Sequence, residues 1–184
     1  MVHFLLVLPA LVSAPKPNIG APVELKGVRM GMTMDEVVAA INARNETFQP
    51  ETERKGATAE FTEFGLPIAG VESPYVTYDF VEISGTLRLA RIIAYFDASS
   101  FASIQTGFLQ KYGLPSSKVE PFHTKGGLKT TSRVCTWKRL DGTIILTERK
   151  FKLDQGRLDL VSPVLWRSYM AEWSKWSDKQ SSDI

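Results

Sequence analysis

The stretch YVTYDFVEISGTLRLARIIAYF, residues 75–96, decides the fold. Apolar and polar residues alternate on both sides of Ser84-Gly85, the pattern of two strands joined by a two-residue hairpin turn. In the register that turn sets, Phe80 faces Leu89, Tyr78 faces Arg91 and Val76 faces Ile93. Strand side chains alternate, so these residues form the core face and Thr77, Asp79, Val81, Arg88, Ala90 and Ile92 form the other. A third strand is expected upstream, about 59–66, after a polar segment from Glu46 to Ala57.

Further upstream, Thr33 and Glu36 stand at the N-cap and N3 positions of a capping box, with Met32 and Val37 at the staple positions. Met34, Val37, Val38 and Ile41 then recur at helical spacing and predict a helix that fades near Asn45. Leu25 to Met30 reads as a short strand.

Downstream the same order returns. Phe101, Ile104, Phe108, Leu109 and Tyr112 mark a second helix over about 99–112, capped by Asp97 or Ser99 and stopped by Gly113 and Pro115. After a loop, three strands are expected over about 132–140, 143–153 and 157–162. Asp141-Gly142 predicts a two-residue type I′ turn between the first two, because both central residues there need positive φ. That turn places Cys135, Trp137, Ile144 and Leu146 on the core face and Val134, Thr136, Lys138, Ile145, Thr147 and Arg149 on the opposite face. Continued parity leaves Phe151 and Leu153 outside and Glu148 and Lys150 inside, which a bulge near Glu148–Lys150 would reverse. Leu165, Trp166, Tyr169, Met170, Trp173 and Trp176 then outline a terminal amphipathic helix.

The expected fold is therefore α+β: two helix-then-three-stranded antiparallel units, about 23–96 and 97–162, sharing one core within a single domain over 23–177. The terminal helix spans about 163–177 and a polar tail 178–184. Residues 1–22 are set apart as a leader and a Pro-rich linker. The leader MVHFLLVLPALVSA ends in the small-residue form of a signal-peptidase site, so export is expected, with a cytoplasmic location as the alternative. The run is too short to span a bilayer as a helix.

Charge and chemistry narrow the function. The net charge of +2 predicts neither a nucleic-acid nor a membrane partner. Its distribution is uneven: acidic residues dominate from Glu46 to Glu82 and basic residues from Lys111 to Lys152. Cys135 is the sole cysteine, and His3 and His123 are far apart in the chain, so no disulfide, metal centre or Cys-His pair is expected. Neither a Gly-x-Ser-x-Gly elbow nor a Walker ending is present, and 125–131, KGGLKTT, reads as a hairpin connection. No catalytic residue and no cofactor is assigned. Asn45-Glu46-Thr47 fits the N-glycosylation pattern.

Gly31-Met32-Thr33-x-x-Glu36-Val37, entering a short helix ahead of antiparallel strands, resembles the superfamily of small outer-membrane assembly lipoproteins and proteinaceous β-lactamase inhibitors. The resemblance covers Leu25 to Ile41, with Phe101 to Pro115 as a second copy, and it implies protein binding by a sheet. This chain lacks the lipoproteins' anchor Cys and the inhibitors' paired Cys residues. The function expected is a non-enzymatic, inhibitor-like binding module of the cell envelope or exterior. Its partner would be another protein, acidic where it meets Thr136, Lys138, Thr147 and Arg149. The alternatives are a structural or assembly subunit that docks through its C-terminal aromatic helix, and an enzyme with an unrecognised polar site.

Overall fold

A computed structural model describes residues 20–44 and 47–182. The leader and the Asn and Glu of the glycosylation pattern lie outside the described residues. The chain is α+β. A short hairpin, β1 (Glu24–Leu25) and β2 (Val28–Arg29), leads into α1 (Met34–Asn42). Four strands follow: β3 (Glu53–Lys55), β4 (Thr58–Ile68), β5 (Val71–Ile83) and β6 (Thr86–Asp97). A 3-10 turn capped by Asp97 enters α2 (Phe101–Tyr112), and four more strands come next. These are β7 (Ser116–His123), β8 (Lys129–Lys138), β9 (Thr143–Thr147) and β10 (Gln155–Val161), after which α3 (Pro163–Ser182) ends the described chain.

The main sheet has eight antiparallel strands in the order β3-β4-β5-β6-β10-β9-β8-β7, so β6 and β10 meet at its centre. Its inner face and the helices α1 and α2 form one core. Val37 and Ile41 of α1 and Phe101, Ile104 and Phe108 of α2 are buried there with Phe61, Tyr78, Phe80, Leu89, Leu146 and Leu160. On the outer face a smaller cluster joins Val81 and Ala90 of the sheet to Tyr169 of α3.

Local signals explain most of the elements. Both bonds of the capping box form: Glu36 N–H donates to Thr33 Oγ1 at 3.2 Å and Thr33 N–H to Glu36 Oε2 at 2.7 Å. Ser84 and Gly85 take φ of 52° and 79°, the two positive values that the tight turn demands. Gly113, at φ 79°, stops α2. Beyond the end of α1, Arg44 Nη2 reaches Glu63 Oε2 at 2.7 Å, and Tyr78 donates to the same oxygen at 2.6 Å. Burial, followed by the nearby Glu63 carboxylate, pushes the Tyr78 hydroxyl far above its usual range.

The structure corrects several expectations. Four strands follow α1 and four follow α2, not three. β3 lies inside the segment read as polar loop, and β7 inside the loop before β8. Both were hidden because their side chains are mostly exposed and carry no apolar alternation.

In the central hairpin Phe80 does face Leu89, but a bulge leaves Ala90 unopposed. Beyond it Tyr78 faces Ile92 and Val76 faces Ala94. Ile92 and Ala94 therefore enter the core, while Arg91 and Ile93 turn outward.

The second hairpin keeps its expected faces with a different register. Trp137 pairs with Ile144 and Lys138 with Thr143, so the loop is four residues, Arg139 to Gly142. A slip of two positions preserves which side each residue takes. Neither Asp141 nor Gly142 has positive φ. Asp141 Oδ2 instead accepts the Val23 N–H at 2.7 Å. A Cβ on Gly142 would come within 3.0 Å of the Val161 carbonyl and 3.3 Å of Val23, so the glycine serves close packing. No bulge occurs at Glu148–Lys150 because β9 ends at Thr147, leaving Phe151 and Leu153 exposed outside the ladder. α3 continues past the expected end near 177, so the expected tail is helical to Ser182.

Candidate protein-binding face

The outer face of the sheet is divided by α3. At the end of β10, the Ser162 N–H donates to the carbonyl of the bulged Ala90 at 2.9 Å, and Pro163 opens the helix where no N–H is needed. The helix then runs back over β6, β5 and β4. Its aromatic side chains lie against that half: the Trp166 ring packs on the Arg91 guanidinium of β6 at 3.8 Å, and Trp176 covers Gly56 at the β3–β4 turn. Tyr169 is buried, and burial, followed by the Asp79 and Glu60 carboxylates, raises its hydroxyl well above the usual range. Among the described residues no element lies over the outer face of β10, β9, β8 and β7.

Where covered and open halves meet, the surface forms a groove of about 580 Å³. Thr143, Ile145 and Thr147 of β9 and Arg157, Asp159 and Val161 of β10 form its floor, with Trp166 and Arg167 of α3 on one side. This floor follows from alternation, since Leu158 and Leu160 take the core side of β10.

Two cations of the groove are neutralised. Arg157 Nε donates to Asp159 Oδ2 at 2.8 Å and Arg91 Nε to Asp79 Oδ2 at 2.7 Å. Burial lowers the Arg157 pKa, but the Asp159 carboxylate outweighs it and holds the guanidinium above its ordinary value. Burial also raises the Asp79 carboxyl above the usual aspartate range, and the Arg91 charge only partly offsets this. Lys150 and Arg167, also lining the groove, have no carboxylate partner among the described residues. The groove therefore has a positive surplus over a floor whose apolar part is Ile145 and Val161.

Of the four residues expected to make contact, three share this surface. Thr147 lies in the groove floor. Thr136 faces Ile145 across the ladder, and Lys138 faces Thr143 with its side chain exposed. Arg149 stands apart, beyond the end of β9. Its Nη1 donates to the Thr131 carbonyl at 3.0 Å and its backbone N–H to Ser132 Oγ at 2.9 Å, so its side chain is tied down.

Arg91, Lys150, Arg157, Asp159 and Arg167 were not expected at a binding face from the sequence, and Trp166 was expected only as part of the terminal helix. The alternation Arg157-Leu158-Asp159-Leu160-Val161 carries the signal for β10. Arg91 and Trp166 depend on the bulge and on where α3 docks, which no local pattern encodes.

Cys135 is buried, with Gln105 Nε2 3.3 Å from its sulfur. It faces Ser117 across the ladder, whereas His123 faces Lys129 six positions further along, roughly 20 Å away at the rise of a strand. The two do not meet. Among the described residues no three His, Cys, Asp or Glu side chains gather in a metal-binding cluster, and no helix is long and apolar enough to cross a membrane. Compared with models of protein families, with curated proteins and with solved structures, the chain matches none.

Proposed function

We propose that this chain is a non-enzymatic, inhibitor-like protein-binding module that receives an acidic segment of its partner on the uncovered half of the sheet. One observation carries the reading. α3 covers only the β4–β6 half of the outer face, and the groove left beside it holds Lys150 and Arg167, two cations without a carboxylate partner among the described residues, over Ile145 and Val161. Lysine and arginine at the rim would draw in the partner, while the apolar floor would supply contact area. Thr136, Lys138 and Thr147 extend the surface toward β7, with Arg149 contributing through its anchoring of the β8–β9 end.

The strand order supports the finer reading of two units. Each would be one helix followed by four strands, with the last strand of each, β6 and β10, joined at the centre. Such a doubled unit gives a sheet broad enough for both a covered and an open half. Docking through the terminal helix is less favoured, because Trp166 and Tyr169 are turned onto the sheet.

Binding of fluorescein-labelled Asp/Glu-rich peptides, followed by anisotropy at low and raised salt, tests the proposal. The wild type should bind with marked salt dependence, and Lys150→Glu with Arg167→Glu should weaken binding and flatten that dependence. Equal affinity in the double variant would refute the assignment of this groove.

A further inference from the structure

The two edges of the sheet differ in a way that points to a second binding mode. The Glu82 N–H donates to the Ala57 carbonyl at 2.8 Å, and the same register continues from Thr58 facing Val81. In an antiparallel pair, backbone groups alternate in direction. Positions 57, 59, 61 and 63 therefore aim at β5, and Thr58, Glu60, Thr62 and Phe64 aim away from it. β3 satisfies Thr58 and Glu60, through Lys55 and Glu53, and then ends. Among the described residues, the backbone groups of Thr62 and Phe64 face no strand. Beside them a cleft of about 810 Å³ separates β4 from residues 47–52, a volume within the range of about 300–1,000 Å³ typical of ligand clefts.

The opposite edge is guarded. The Thr124 N–H donates to the Leu128 carbonyl at 3.0 Å in the register of β7 with β8, so the odd positions of β7 aim outward. One of them is Pro121, which has no N–H and interrupts pairing with an added strand. On β4 the proline, Pro67, lies at an odd position and aims toward β5, so the open edge keeps its donors.

The cleft's charge selects an occupant. Glu53 and Glu60 share the single cation Lys55, at 2.9 and 3.3 Å, and Glu51 has no cationic partner among the described residues. Glu63 is already neutralised by Arg44. Phe64 stands 75% exposed at the mouth, an apolar surface for one side chain of an incoming strand.

We propose that the open edge of β4 is a strand-addition site for an extended segment of another protein that carries Lys or Arg at alternate positions. Main-chain bonds to Thr62 and Phe64 would hold it, and the carboxylates of Glu51, Glu53 and Glu60 would select its charge. The site is separate from the groove beside α3 and opposite to it in sign, so each can fail without the other.

The probe is a fluorescein-labelled peptide of alternating Lys and Val, titrated by anisotropy into the full chain, beside a Glu-Val counterpart and a Lys-Val peptide N-methylated on alternate amides. The Lys-Val peptide should bind and the other two should not. Thr62→Pro removes an outward N–H as Pro121 does on β7, and should weaken binding about tenfold at an unchanged melting temperature. Glu51→Lys, a change in exposed chain, should also weaken it and serves if Thr62→Pro fails to fold. The proposal is overturned by no binding, by equal binding of the Glu-Val or N-methylated peptide, or by affinity insensitive to both substitutions. Sedimentation showing that the edge is occupied by a second copy of this chain, released by Thr62→Pro, would also overturn it.

Discussion

The guanidinium of Arg91 lies 3.8 Å from the centre of the Trp166 ring, while its Nε donates to Asp79 at 2.7 Å. Three elements are joined by this one side chain: β5 through Asp79, β6 through Arg91 and α3 through Trp166. The bulge at Ala90 makes the contact, because unbroken alternation would turn Arg91 inward. Further along α3, Lys55 lies 5.0 Å from the Trp173 ring, a second cation–π contact between helix and sheet.

If these contacts hold α3 to the sheet, Trp166→Ala should destabilise the protein by about 2 kcal/mol, below the loss for a fully buried aromatic because Trp166 is half-buried. Deleting residues from Pro163 onward should cost more, since it also uncovers Val81 and Ala90. Thermal melts of both variants decide the matter. A truncated chain that melts with the full protein would mean that α3 is a detachable element.

Gly156 presses its α-carbon against the Phe96 ring, its cross-strand neighbour, and an added Cβ would overlap ring atoms. Phe96 is itself packed in the core, so it has little room to yield. Gly156→Ala should therefore cost about 1–3 kcal/mol in denaturant unfolding. Gly126→Ala, where a Cβ would meet only Thr124 Oγ1 at 3.8 Å, should stay within about 0.5 kcal/mol of the wild type. Equal stability of the two variants would contradict the close approach.

Glu148 is a site of pH-dependent stability. Burial raises its pKa, but the Arg133 backbone N–H and Nε, each 3.2 Å from Oε2, and the Arg149 charge together outweigh this and hold it below the usual carboxylate range. A folded-state pKa below the unfolded one adds stability above the unfolded value, and that stability is lost as pH falls through the folded value. Glu148→Gln should thus melt earlier than the wild type at neutral pH. The gap should close as pH falls below the ordinary glutamate value of about 4.3. Melting curves across acid pH test this, and a gap that widened in acid would reverse the sign.

Some of this molecule could be read locally. Thr33 and Glu36 form their capping box because both partners lie within one turn, and Ser84-Gly85 turns tightly because its own φ values permit it. The inward set Cys135, Trp137, Ile144 and Leu146 is correct even though the register slips, since a slip of two preserves parity. On the outer face of β8 and β9, Thr136, Lys138 and Thr147 were legible for the same reason. Arg149 was not, because β9 ends two residues before it and the parity argument ends with the strand.

What the sequence determined by itself was therefore short in range: helix starts, one tight turn, and the core-facing side of β5, β8 and β9, all set by contacts within a few residues. Tertiary structure decided the rest. Only pairing with β8 makes a strand of the exposed residues 116–123, and Asp141-Gly142 forms a four-residue loop where Asp141 accepts the Val23 N–H and Gly142 admits Val161. The division of the outer face into covered and open halves depends on where α3 lands. That landing is set by Arg91, Asp79 and Trp166, residues far apart in the chain whose attraction exists only once the sheet has brought them together.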